Sequence, residues 1–213
     1  MHIEPGFVTP AKILIANSAA IGIISYQGRT LLARPTDLIK VVLAALFFSL
    51  FMQSLHRPVG PSELHFIGAS TIYLLFGFTP TLLGFAAGLL LQGVLFDPAD
   101  MVHLGVNALS LMLPLILVHK TGGRKLLDRS MGSRLCLSAL FKLDAVYYGG
   151  VTAMVGFWLL ISEVPTTFSA WGAFVGSYVV IVLLEPFVTF GLLRGLKKLE
   201  ALSLFPQAKS TQA

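Results

Sequence analysis

The chain opens Met1-His2-Ile3, and a free amine followed by histidine is a ready chelator. An α-amino group titrates near about 7.7–8.0, so a metal readily displaces its proton. Between that amine and the His2 imidazole lies the His2 peptide nitrogen, which a metal can deprotonate. Amine, amide and imidazole nitrogens then close fused chelate rings in one plane, and an imidazole from elsewhere completes a nitrogen square. Planar nitrogen coordination suits Ni(II), Cu(II) and low-spin Co(II); Mg and Ca want oxygen. The start has no basic region followed by an apolar core, so no signal peptide is expected and the mature protein should begin at, or next to, Met1. A bulky His2 also disfavours trimming of the initiator methionine.

Further candidate donors are His56, His65, His103, Asp97 and Asp100. His103 and Asn107 are four apart and share a helix face, so Asn107 could orient a liganding histidine by hydrogen bonding. Polar packing between helices is the alternative reading of that pair. His56, before Arg57-Pro58, reads as interfacial, and Asp97-Pro98-Ala99-Asp100 reads as a turn. Glu185 stands in an apolar run beside Pro186. An ionisable group in such a run is costly and therefore a functional candidate, with structural and coupling roles both open.

These residues need a scaffold, and the composition defines it. The 213 residues are 55% hydrophobic and 12% charged, with a mean hydropathy of +0.83. Soluble domains carry about 25% charged residues. The apolar surplus must face lipid, which makes the chain an all-α, polytopic membrane bundle. About seven stretches approach the ~20 apolar residues that a span needs: residues 11–26, 38–55, 65–79, 81–96, 101–119, 144–162 and 169–193. Residues 1–200 read as a single membrane domain and 201–213 as a polar tail.

Seven spans with the N-terminus outside put 27–40, 120–142 and 194–213 on the cytoplasmic side, with 13 of the 15 Lys and Arg. Only Lys12 and Arg57 fall outside, together with Glu4, Glu63, Asp97, Asp100 and Glu163. The excess of Lys and Arg in inner loops selects N-out and C-in. It also assigns the net charge of +5 to an anionic lipid surface rather than to nucleic acid. Residues 120–142 read as a basic interfacial helix or a partner's docking surface. A lone Cys136 excludes an internal disulfide.

Met1-His2-Ile3 with Gly6-Phe7, Pro58-Val59-Gly60-Pro61-Ser62-Glu63-Leu64-His65 before Gly68-Ala69, and the spacing onward to Gln92 and Leu104-Gly105-Val106-Asn107 together resemble the CbiM/NikM family. So does Glu185-x-x-x-Thr189. That family is the substrate-binding membrane component of cobalt and nickel energy-coupling-factor transporters. The resemblance runs from residue 1 to about 195. It implies a metal held by Met1, His2 and His65, with Gln92, His103 and Asn107 around the site or along the ion's path. Implied partners are a transmembrane coupling protein, ATPase subunits of the ABC type and a small auxiliary membrane subunit, in a bacterial or archaeal plasma membrane. Departures are Glu63-Leu64 for a Gly/Ser-rich approach, Val106 and Ser110 for Ala and Asn, and His103 for a small residue.

Ala16-x-x-x-Ala20 and Ser18-x-x-x-Gly22 let helices approach closely. Such patterns serve internal packing or, in these transport components, contact with the coupling protein. No Gly-rich loop ending in Lys-Ser/Thr is present, so ATP hydrolysis would fall to partners. Co(II) or Ni(II) is then cargo, and no catalytic cofactor or catalytic residue is expected. A secondary metal carrier or channel is the alternative. An intramembrane enzyme is the remoter one, because Ser110, His103 and Asp100 match no catalytic scheme.

Overall fold

The computed structural model describes residues 3, 6–59, 62–130 and 136–201. Met1, His2, Glu4, Pro5, Gly60 and Pro61 lie outside the described residues, as do 131–135 and 202–213. The fold is helical: α1 Pro10–Ala33, α2 Asp37–Ser54, α3 Ala69–Phe76, α4 Phe78–Leu95, α5 Leu104–Val118, α6 Arg124–Ser130, α7 Leu137–Leu160 and α8 Phe168–Ala201. Between α2 and α3 lies an antiparallel hairpin, β1 His56–Val59 and β2 Ser62–His65, which the apolar pattern did not announce.

Five helical stretches are long and apolar enough to cross a membrane among the described residues: Asp37–Ser54, Phe78–Leu95, Pro98–Asp128, Leu137–Leu160 and Phe168–Lys198. Of the other two expected spans, α1 is long enough but less apolar, and α3 has only 8 residues. Residues 65–79 thus form a strand end, an extended link and a short helix rather than a span. Ala69 through Leu74 are all buried, so α3 is an interior helix and not a lipid-facing one. The large apolar side chains left exposed, including Leu14, Ile39, Leu50, Leu160 and Phe187, are what hydrocarbon covers in an integral membrane protein.

Local chemistry sets the ends of these elements. Thr9 caps α1 through its hydroxyl, which accepts the Lys12 N–H, and Pro10 takes the first helical position, where a missing N–H costs nothing. At α3 the left-handed Gly68 (φ 67°) starts the helix, and a side chain there would overlap the Phe51 ring, 2.1 Å away. Packing between α2 and α4 is equally close. A Cβ on Gly84 would stand 2.5 Å from that of Ala44, and one on Gly88 would be 2.4 Å from the Phe48 ring. These glycines form the small-xxx-small seam by which the two helices touch.

In α1 the two small-residue patterns part company. Ala16 and Ala20 are buried inside the chain's own packing, whereas Ser18 and Gly22 lie on the exposed face. Asn17 stands between them in sequence, and its Oδ1 accepts the Gly105 N–H at 2.9 Å, capping the start of α5.

Candidate metal-capture site

At the end of the bundle that carries the hairpin, Ile3 is pinned. Ile3 is fully buried. Its N–H donates to Asn107 Oδ1 at 3.2 Å, and its carbonyl accepts from His103 Nδ1 at 3.1 Å. It also forms an antiparallel bridge with Ser62 at the start of β2. Farther along, the Phe7 carbonyl accepts the Glu163 N–H from the link between α7 and α8. Three separated parts of the sequence therefore hold Ile3 and Phe7.

The clamp follows from local structure. A short 3-10 helix, Pro98–His103, is capped by Asp97, whose Oδ1 accepts the Ala99 N–H, and it runs directly into α5. His103 ends the first helix and Asn107 lies in the first turn of α5, so one turn separates the two side chains that grip the Ile3 peptide. The shared face expected for this pair is thus applied to the N-terminal strand. Donation from His103 Nδ1 to a carbonyl puts the proton on Nδ1. His103 Nε2 is buried and makes no hydrogen bond among the described residues.

His65 closes β2 and is 5% exposed. Its Nε2 lies 2.9 Å from Glu63 Oε2, and its Nδ1 is 3.4 Å from the Met52 carbonyl. Glu63 Oε2 and the Met52 carbonyl both only accept, so each contact calls for a proton on its ring nitrogen, and a neutral His65 makes one of them, the shorter being to Glu63. Across the hairpin His56 is the register partner of His65. The two rings stack at 6.3 Å between centroids, and His56 stays exposed. Sequence reasoning treated His56 as merely interfacial; only the hairpin register brings it beside His65.

The other candidates sit elsewhere. Gln92 is buried, donates to the Ser49 carbonyl at 3.0 Å and accepts from Gln53 at 2.7 Å, so it ties α4 to α2. Glu185, fully buried in α8, accepts the Ser70 N–H at 2.9 Å, the Ser70 hydroxyl at 3.1 Å and the Tyr148 hydroxyl. Since Gly68 offers α3 no side-chain cap, Glu185 supplies that cap from another helix. Ser110 donates to the Val106 carbonyl and accepts from Trp158 Nε1, which commits its hydroxyl to packing. Asp144, also fully buried, had no place among the expected site residues. Among the described residues, no group of three or more His, Cys, Asp or Glu side chains is arranged to hold a metal alone.

A polytopic helix bundle with lipid-facing apolar surface, in which His103 and Asn107 grip the Ile3 backbone, defines an integral membrane protein. The profile of the cobalt uptake substrate-specific transmembrane region (CbiM) matches residues 2–202, and the chain belongs to that family. It is a component of cobalt or transition-metal uptake. In fold it is similar to a solved transition metal transporter, with a TM-score of 0.72 over 94% of each chain at 16% identity. A truncated transition metal transporter gives a TM-score of 0.67, covering 92% of this chain and 99% of that one, also at 16% identity. No curated protein matches by sequence.

Proposed function

We propose that this chain is the specificity component of an energy-coupling-factor transporter, capturing Co(II) or Ni(II) from outside through the Met1 amine, the His2 amide and imidazole nitrogens, and the His65 imidazole. The observation that carries this reading is the anchoring of Ile3. A chelate built on a chain terminus gains affinity only if the terminus is pre-organised, because ordering a loose end opposes binding. Ile3 is gripped on both sides of its peptide, immediately after His2. The bridge from Ile3 to Ser62 is antiparallel and lies at the start of β2, the strand that His65 ends.

In this scheme His65 gives up its Nδ1 contact with the Met52 carbonyl and offers that nitrogen to the metal, while Glu63 holds Nε2–H and fixes the ring's orientation. Asn107 and His103 act through Ile3 rather than on the metal. Metal analysis of the purified chain with its amine free tests the proposal. One Co(II) or Ni(II) per chain with a planar nitrogen-donor spectrum is expected; an oxygen-donor spectrum or no bound metal overturns it.

Capture from outside requires the N-out orientation. Arg124, Lys125, Lys142, Arg194, Lys197 and Lys198 all lie toward the opposite end of the helices from the hairpin. Cys136, exposed at the start of α7, is a native probe for this. A membrane-impermeant maleimide is expected to label it only after cells are permeabilised, and labelling of intact cells would invert the topology. Release would follow when the coupling protein and ATPase subunits reorient the bundle. A secondary carrier working without such partners is the second reading, favoured by the buried polar side chains Ser70, Thr71, Asp144, Glu185 and Thr189.

A further inference from the structure

At the end of the bundle opposite the hairpin, α5 stops at Val118, a single π-helical turn follows at His119–Gly123, and α6 begins at Arg124. Turns of this kind recur at functional positions. Its side chains are held in place. The Tyr73 hydroxyl and His119 Nδ1 are hydrogen-bonded at 2.8 Å, and the Phe78 ring stacks on the imidazole at 4.1 Å between centroids. The Thr121 hydroxyl donates to the Leu117 carbonyl at 2.8 Å.

Two adjoining cavities open on this turn. The first, of about 370 Å³, is polar and is lined by His119, Lys120, Thr121, Gly122, Arg124 and Lys125. The second, of about 310 Å³, shares Thr121, Gly122 and Lys125 with the first and continues between α6 and α7. Its wall there is apolar, made by Val118, Leu126, Ala139, Leu143 and Val146, with Lys142 among them. The α7 part follows from spacing, since 139, 142, 143 and 146 stand at i, i+3, i+4 and i+7 and share one helix face. Val146 is 37% exposed and lies about 13 Å along α7 from Leu137, so the groove opens sideways at hydrocarbon depth.

Lys120, Arg124, Lys125 and Lys142 are all exposed, and among the described residues none of them forms an ion pair. Asp128, the one acid of α6, lines neither cavity. Clustered like charges repel, and an apolar groove filled with water is unfavourable. A free anion relieves only the first of these and a neutral lipid only the second. An amphiphile with an anionic phosphate relieves both.

We infer that the two cavities together form a binding site for one anionic phospholipid. Its phosphate sits among Lys120, Arg124, Lys125 and Lys142, and one acyl chain lies along the Ala139–Val146 face of α7. Basic pockets between membrane helices recognise such headgroups. The general attraction of basic loops to an anionic surface has neither shape nor stoichiometry; this site has both. It depends neither on metal capture at the hairpin nor on which end of the bundle faces the cytoplasm.

Native mass spectrometry of the purified full chain in neutral detergent tests this, with phosphatidylglycerol and phosphatidylcholine of identical chains added in separate titrations. One phosphatidylglycerol per chain is expected, bound at least about tenfold more tightly than phosphatidylcholine and not displaced by millimolar inorganic phosphate. Lys125→Gln with Lys142→Gln should weaken it at least about tenfold, whereas Lys197→Gln with Lys198→Gln, an equal loss of charge on α8, should change it less than about twofold. Ala139→Phe fills the apolar groove with every cation kept, and should also cost about tenfold. Equal weakening by the α8 pair would mean diffuse surface attraction and overturn the site. Displacement by inorganic phosphate, or indifference to Ala139→Phe, would reduce it to a free-anion site and equally overturn it. Equal affinity for the two lipids, the result expected if the cations serve an acidic segment of a protein partner, would do the same. That last comparison needs only native protein, so the test survives a variant that fails to fold.

Discussion

An uncleaved extension ahead of Met1 is expected to lower Co(II) or Ni(II) affinity by about a hundredfold or more, equivalent to about 3 kcal/mol. The extension converts the terminal amine to an amide and so removes the donor whose proton a metal most easily displaces. It also breaks the fused rings, since the amide no longer offers a basic nitrogen adjacent to the His2 peptide. The contacts that anchor Ile3 involve only its own N–H and carbonyl, so they survive the change. Fold and affinity should therefore separate: thermal unfolding of the metal-free protein stays the same while metal is lost. Chelator competition on a pair of variants, one extended at the N-terminus and one at the C-terminus, makes the measurement. Equal affinities would exclude the Met1 amine from the metal's coordination.

The reason for that separability lies in how the strand is held. A backbone N–H buried without a partner costs about 1–3 kcal/mol, so Asn107 and His103 both act as guarantors of the main chain at Ile3. Their spacing was visible in the sequence, because a separation of four on a helix always means a common face. What they face was not visible. No local pattern reveals that residues 3 and 107 meet, since a contact of that separation is decided by the bundle's topology.

Apolar runs located α2, α4, α5 and the start of α8 to within a few residues, because lipid imposes a length and composition on any helix that crosses it, while α8 continues to Ala201, past its apolar run. The hairpin escaped because each strand has four residues, too few for alternation to register, and because β2 joins an apolar segment that continues into α3. Asp144 was missed for a related reason. Its charge, after Lys142, set the apparent edge of a span, whereas α7 begins at Leu137 and carries Asp144 into the interior. The available signal was the pair Tyr147-Tyr148, which places aromatic hydroxyls one turn from a carboxylate on the same helix. Gln92 shows the converse, since its position satisfied the family's spacing while its side chain serves the seam between α2 and α4.

Two histidines meet across the hairpin, and their variants should behave oppositely. His65→Ala is expected to weaken Co(II) or Ni(II) binding by about a hundredfold, while His56→Ala should stay within about threefold. The difference comes from positioning. His65 is buried, with one ring nitrogen held by Glu63, so its other nitrogen is fixed in place at little entropic cost. His56 is exposed and only stacks on its neighbour, so ordering it for ligation would consume most of what the bond returns. Removing the buried ring leaves a gap of imidazole size, and added imidazole is expected to restore binding to His65→Ala without affecting the native chain. Rescue separates a lost ligand from a collapsed hairpin, because a small donor cannot rebuild the strand register. If His56→Ala proved the damaging change, the metal's fourth nitrogen would come from the exposed side of the hairpin, and His65 would be its support.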